Sequence, residues 1–228
     1  AKYDVGKTRI LLILDASGSM NESWEEKKRF ETSKSMLINI VDSVERNNPN
    51  VEFGLRIFGH QSPKSEKNCK DSKLEIPFGK NNSAKIKARL QTVEPQGWTP
   101  IAYSLLEAAN DFKAVPGIKN AIILITDGLE NCGGKLCEVA LALEAKRITL
   151  KPFIIGIQVP PSGKKEFECI GYYFDVSTEN AYQKVLEKVV AQALNTTSVQ
   201  INLKDEQQAP VITDLGINIY DHASGTLL

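Results

Sequence analysis

The sequence predicts an α/β fold: a doubly wound, mainly parallel sheet with one antiparallel edge strand, helices on both faces, and the start of a C-terminal β module. Three observations carry this. Residues 10–14 and 121–125 are short, unbroken apolar runs, the signature of strands buried on both faces. Between and after them lie segments whose apolar residues recur at helical spacing, so strands and helices alternate along most of the chain. Near the end the pattern changes to strict alternation, in 199–203 and 216–220.

In order, residues 7–14 are the first strand. Residues 25–46 read as a helix with Phe30, Ser33, Leu37, Ile40, Val41 and Val44 on one face, stopped by Asn47-Asn48-Pro49-Asn50. Residues 51–58 and 74–78 are strands joined by a long polar loop, 59–73, and this hairpin makes the second of them the antiparallel edge. Ser83 caps a short helix with Ile86, Leu90 and Val93 inward. Thr99-Pro100 opens another with Ile101, Leu105, Ala108 and Phe112 inward, since proline at a first helical position loses no hydrogen bond. Strand 121–126, a helix over about 135–147, strand 150–157, a short helix near 163–170, strand 172–176 and a helix over 179–194 complete a first domain, residues 1–195. Residues 196–228 are expected to be a linker and the first strands of a truncated β-sandwich-like module.

The chemistry gathers where strands end. The first strand stops in Asp15-Ala16-Ser17-Gly18-Ser19, a carboxylate and two hydroxyls at alternate positions of one turn. The strand at 121–126 stops in Thr126-Asp127-Gly128, and Gly97-Trp98-Thr99-Pro100 brings a hydroxyl to the start of a helix. Parallel strands deliver their C-terminal ends to one edge of an open sheet. Asp15, Ser17, Ser19, Thr99 and Asp127 are therefore expected to converge as an all-oxygen set suited to a hard cation, Mg²⁺ or Mn²⁺, with Ca²⁺ as the larger alternative. The competing reading of each residue is local: Ser17, Ser19 and Thr99 as helix caps, and Asp127 as a turn aspartate.

These segments resemble the von Willebrand factor type A domain, the family that includes the integrin inserted domains. Its metal-ion-dependent adhesion site reads D-x-S-x-S, then T, then D. Asp15-Ala16-Ser17-Gly18-Ser19 matches the first part, Thr99 in its G-x-T-P-I context the second, and Asp127 in T-D-G the third. The resemblance spans about residues 7–195. It implies that Ser17 and Ser19 bind the ion directly, that Thr99 does so in the engaged state, and that the aspartates act largely through waters. It also implies an open coordination position that a protein partner's Asp or Glu fills, with loop movement relayed to the last helix, 179–194. Phe58-Gly59-His60, Cys69-x-Asp71 and Asp127-Gly128-x-Glu130-x-Cys132-x₄-Cys137 further resemble a bacterial, four-cysteine group of such domains. Glu22, Trp98, Glu130 and Asn131 lie beside the motif; Trp98 is either an exposed anchor for a partner or packed beneath the site loop.

Other classes fit less well. With 28 basic and 28 acidic residues the chain is formally neutral, which gives no electrostatic case for nucleic acid. No apolar run approaches the length of a membrane span. A magnesium-dependent phosphatase built on a strand-end aspartate needs a second aspartate where Ser17 stands, and there is no nucleophile elbow, P-loop or dinucleotide fingerprint, so no enzyme is expected. His60 is an isolated histidine, structural rather than catalytic. An intracellular assembly module working with an ATPase is the main alternative, and the cysteines count against it. Cys69, Cys132, Cys137 and Cys169 are expected to form two disulfides, hence an extracytoplasmic location. Cys137–Cys169 and Cys69–Cys132 are plausible from the expected elements. A Cys132–Cys137 pairing stays open, and so do free buried thiols or a zinc hairpin at that spacing. A monomer is expected.

Overall fold

The computed structural model describes residues 7–112, 118–145 and 152–194. The apolar runs become the centre of a six-stranded sheet. In chain order the elements are β1 (Thr8–Asp15), the two-residue hairpin strands β2 (Ser23–Trp24) and β3 (Lys27–Lys28), α1 (Arg29–Asn47), β4 (Val51–Phe58), β5 (Ser72–Gly79), α2 (Ser83–Gln91) and α3 (Ile101–Asp111). Then follow β6 (Lys119–Thr126), α4 (Leu136–Ala145), β7 (Phe153–Ile157), α5 (Pro161–Glu168), β8 (Tyr172–Val176) and α6 (Glu179–Leu194).

The strand order is β5-β4-β1-β6-β7-β8, parallel throughout except that β5 runs antiparallel to β4 at the edge. The predicted class is therefore the observed one. β1 lies in the middle because its side chains are apolar on both faces. Ile10, Leu12 and Leu14 pack with α1, α2 and α6, while Leu11 and Ile13 pack with α3, α4 and α5. Full burial of each such side chain is worth about 2 kcal/mol, so the sheet is anchored from both sides. The predicted inward faces of α1, α2 and α3 are buried as their periodicity requires, and so is that of α6 apart from half-buried Val185.

The register decides what meets at the sheet's C-terminal edge. Leu14 is level with Ile125 of β6, and Asp15 with Phe58 of β4. One step on, β1 and β6 place Asp15 beside Thr126, and the loops leaving β1, β4 and β6 emerge together.

Some boundaries differ from expectation. α1 begins at Arg29, not at 25, because the 23–28 segment folds as a small hairpin with Glu25 in the left-handed region (φ 54°). Trp24 is the reason: its ring is buried edge-on against Tyr182 and its Nε1 donates to the Ser177 carbonyl at 3.0 Å. Ser83 is not the cap of α2. It is the first helical residue, and the free amides of Asn82 and Ser83 donate to the Glu45 carboxylate of α1. A carboxylate serves there because unpaired amides and the positive end of the helix dipole face it. The expected linker and β strands of 196–228, the start of the strand drawn over 150–157 and the end of the helix drawn over 135–147 lie outside the described residues.

The cysteines form two disulfides, Cys69–Cys132 and Cys137–Cys169. This excludes the Cys132–Cys137 pairing and the zinc hairpin. The first joins the β4–β5 loop to the loop after β6, and the second joins α4 to the residue following α5. Among the described residues no helix is long and apolar enough to cross a membrane.

Candidate metal centre

All five predicted residues come together at this edge. Asp15 is completely buried. Its Oδ1 accepts the Ser17 amide at 2.7 Å and its Oδ2 accepts the Thr126 hydroxyl at 2.6 Å, so both oxygens hold the turn that carries the serines. The Ser17 and Ser19 hydroxyls are 3.1 Å apart, and Ser19 Oγ donates to Asp127 Oδ1 at 2.9 Å. Thr99 is fixed from the far side by Asn131: its amide donates to Asn131 Oδ1 at 2.9 Å, and its Oγ1 accepts from Nδ2 at 3.3 Å.

Two glycines lie at the convergence. At Gly128 a Cβ would be in ordinary contact, 3.9 Å from both Ser19 Oγ and Thr99 Oγ1, which shows that these two hydroxyls share one neighbourhood. Gly59 has φ +72°, and a Cβ there would meet the Trp98 carbonyl at 2.6 Å and the Ser17 amide at 2.8 Å. Only glycine lets the three loops approach this closely. The approach is sealed by Gly97 N donating to the Gly59 carbonyl, Gly18 N to the Gly97 carbonyl and Ala16 N to the Phe58 carbonyl.

The helix-cap readings of Ser17 and Thr99 do not hold. Ser17 precedes a short 3₁₀ turn, Gly18–Asn21, without a side-chain cap, and α3 is entered through Pro100 with no cap from Thr99. The Ser17 and Ser19 hydroxyls bond to each other, and those of Ser19 and Thr99 both lie beside Gly128.

Burial pushes the Asp15 carboxyl up to about 7, reinforced by the nearby charge of Asp127. Burial also raises Asp127, partly offset by Arg29 and Ser19. Two buried carboxylates that resist ionisation, beside clustered hydroxyl oxygens, fit a bound hard cation, which would supply the missing positive charge. The set contains no nitrogen or sulfur, and among the described residues there is no cluster of three or more His, Cys, Asp or Glu that could hold a metal. Hydroxyls are integral to this centre.

Residues beyond the motif complete it. Thr126 positions Asp15, and the T-D-G triplet held that signal without revealing the contact. Arg29, the first residue of α1, donates to Asp127 Oδ2 at 2.7 Å and to Gln158 Oε1 at 3.0 Å, and pairs ionically with Glu22 Oε2 at 2.9 Å. No motif marks it. Glu130 and Asn131 are committed to partners within the protein: half-buried Glu130 accepts the amides of Ala102 and Cys132, holding the start of α3, and Asn131, though exposed, bonds Thr99. Glu22 turns to Arg29. Trp98 is half-buried at the rim, its Nε1 bonded to the Lys64 carbonyl and its ring 5.6 Å from the Lys67 ammonium. His60 sits apart, buried between Glu75 (2.9 Å) and Asp71 (3.8 Å), where it braces the 59–62 turn.

The von Willebrand factor type A domain model matches residues 10–212, and the chain belongs to that family. Domains of this family are in general protein-interaction modules that hold a divalent metal at such a site. YwmC, an uncharacterized protein of Bacillus subtilis (strain 168), is 28% identical over 186 residues, covering 77% of this chain and 80% of its own. Among solved structures, proximal thread matrix protein 1 of the mussel byssus, with zinc in its MIDAS motif, has a TM-score of 0.64 and 22% identity, over 83% of this chain and 46% of that one. The pilus adhesin SpaC of Lactobacillus rhamnosus GG has a TM-score of 0.67 and 17% identity, over 84% and 31%.

Proposed function

We propose that this chain is a divalent-metal-dependent binding and adhesion module, not an enzyme, in which a partner protein's Asp or Glu completes the coordination of an ion held by Asp15, Ser17, Ser19, Thr99 and Asp127. The observation that carries the reading is the clustering of two buried carboxylates and three hydroxyls, none of which caps a helix, at one end of the sheet. Neutral hydroxyls leave a divalent ion electrophilic and able to hold an external carboxylate. The ion would be Mg²⁺ or Mn²⁺, because zinc favours nitrogen and sulfur ligands. That an adhesin and a MIDAS-bearing matrix protein share the fold supports the reading. The two disulfides support an oxidising, extracytoplasmic location. Trp98 and the loop pinned by Cys69–Cys132 form the rim a partner would meet. The domain would act as a monomer, and ligation at the site would be felt along α6.

The test is calorimetric titration with Mn²⁺ and Mg²⁺, in which the wild type binds one ion and Asp15→Ala loses binding by at least about a hundredfold. A surface-binding screen with and without EDTA, and with Thr99→Ala, then tests the partner. Retention of a partner under both treatments would reduce the centre to a structural role.

A further inference from the structure

We propose that Arg29 is a built-in counter-cation that leaves the bound ion one negative charge short, so that an external carboxylate is needed to complete it. This rests on the metal-centre reading above and adds to it a residue that the adhesion-site motif does not contain.

Arg29 reaches the centre from the start of α1, and its side chain is only 14% exposed. The two oxygens of Asp127 are divided: Oδ1 accepts from Ser19 Oγ at 2.9 Å, while Oδ2 is taken by Arg29 Nη1 at 2.7 Å. An ion on the Ser19 side and the guanidinium would therefore share one carboxylate through different oxygens. Asp15 has no such cation, since its partners are an amide and a hydroxyl. Of the two buried negative charges, Arg29 cancels one. A divalent ion then leaves a surplus of one positive charge, which one incoming carboxylate neutralises.

The placement is over-determined. Nη2 is held by Gln158, whose own backbone is in the left-handed region at φ +53°, and Nη1 also contacts Glu22. Glu22 is 63% exposed, so solvent screens it and it offsets Arg29 far less than buried Asp127 does. Arg29 Nε is buried and makes no hydrogen bond. The guanidinium is thus held in place at some cost, as expected of a charge retained for its field.

A purely structural clasp and a counter-cation predict opposite results. Mn²⁺ affinity is measured by calorimetry for wild type, Asp15→Ala, Arg29→Met and Arg29→Lys, each checked by thermal melting, and repeated with acetate as the simplest external carboxylate. Arg29→Met is expected to bind Mn²⁺ about tenfold more tightly than wild type, Arg29→Lys to stay close to wild type, and acetate to strengthen Mn²⁺ binding more in the wild type than in Arg29→Met. Arg29→Gln, neutral but able to hydrogen-bond Asp127, repeats the comparison should the methionine variant fold poorly. If wild type binds Mn²⁺ and the neutral variants bind it no more tightly, Arg29 is a clasp and the inference fails while the metal reading stands. If wild type and neutral variants all fail to bind, both fall.

Discussion

At the scale of the residue, the centre is a problem of buried charge. Asp15 has no exposure to water, and its carboxyl is raised to about 7 by burial and by Asp127. A carboxyl raised in the folded state favours folding while protonated. That contribution is fully present below its unfolded value near 3.8 and is lost as pH rises through about 7. Metal-free protein should therefore melt at lower temperature at about pH 8 than at about pH 5, and Asp15→Asn should flatten the trend. Because the ion must displace the proton, Mn²⁺ affinity should fall by up to about tenfold per pH unit below 7, measured by titration in matched buffers. Affinity independent of pH would remove Asp15 from the centre. The D-x-S-x-S residues were legible because a single turn holds them together. Arg29, Thr126 and Gln158 were not, because each reaches the centre from a different element and no local pattern records which remote oxygen a guanidinium or hydroxyl will meet.

At the scale of the element, the packing of three loops holds the candidate site together. Gly59 sits where the turns carrying Ser17 and Thr99 touch, and any β-carbon there collides with backbone on both sides. Gly59→Ala should cost about 2–4 kcal/mol in urea unfolding and weaken metal binding by separating those turns. A fully stable variant with unchanged affinity would show that the loops are independent. Strands and helices were read well from apolar spacing, and the antiparallel edge followed from the β4–β5 hairpin. The start of α1 was misread because Glu25 to Lys28 are as suited to a helix as to a turn, and the decision lay with Trp24, which buries its ring against Tyr182 of α6. Likewise Ser83 looked like a cap, yet the α2 amides found a carboxylate on a neighbouring helix instead.

At the scale of the molecule, the fold is tied on its functional side. Cys69–Cys132 closes a sequence separation of 63 residues and links the rim loop of β4–β5 to the loop bearing Asp127 and Asn131. Replacing both cysteines by serine should lower unfolding stability by about 2–4 kcal/mol, read from the urea midpoint, with the larger consequence at the rim. No shift would mean that the core alone restrains those loops. The core itself is the two-faced packing on β1, β4 and β6, which places three strand ends in line and makes the edge a rigid platform.

Taken by itself, the sequence determined the α/β class, the strand and helix order, the five converging oxygens and the even number of cysteines. These depend on periodicity, on chain direction through a parallel sheet, and on residue types within a few positions of one another. Tertiary structure alone decided which cysteines pair, that Trp24 breaks the head of α1, that Glu130 and Asn131 hold the start of α3 and Thr99, and that Arg29 pairs with Asp127. Those outcomes depend on the register between β1, β4 and β6 and on distances across elements, which a linear pattern of apolar and polar residues does not encode.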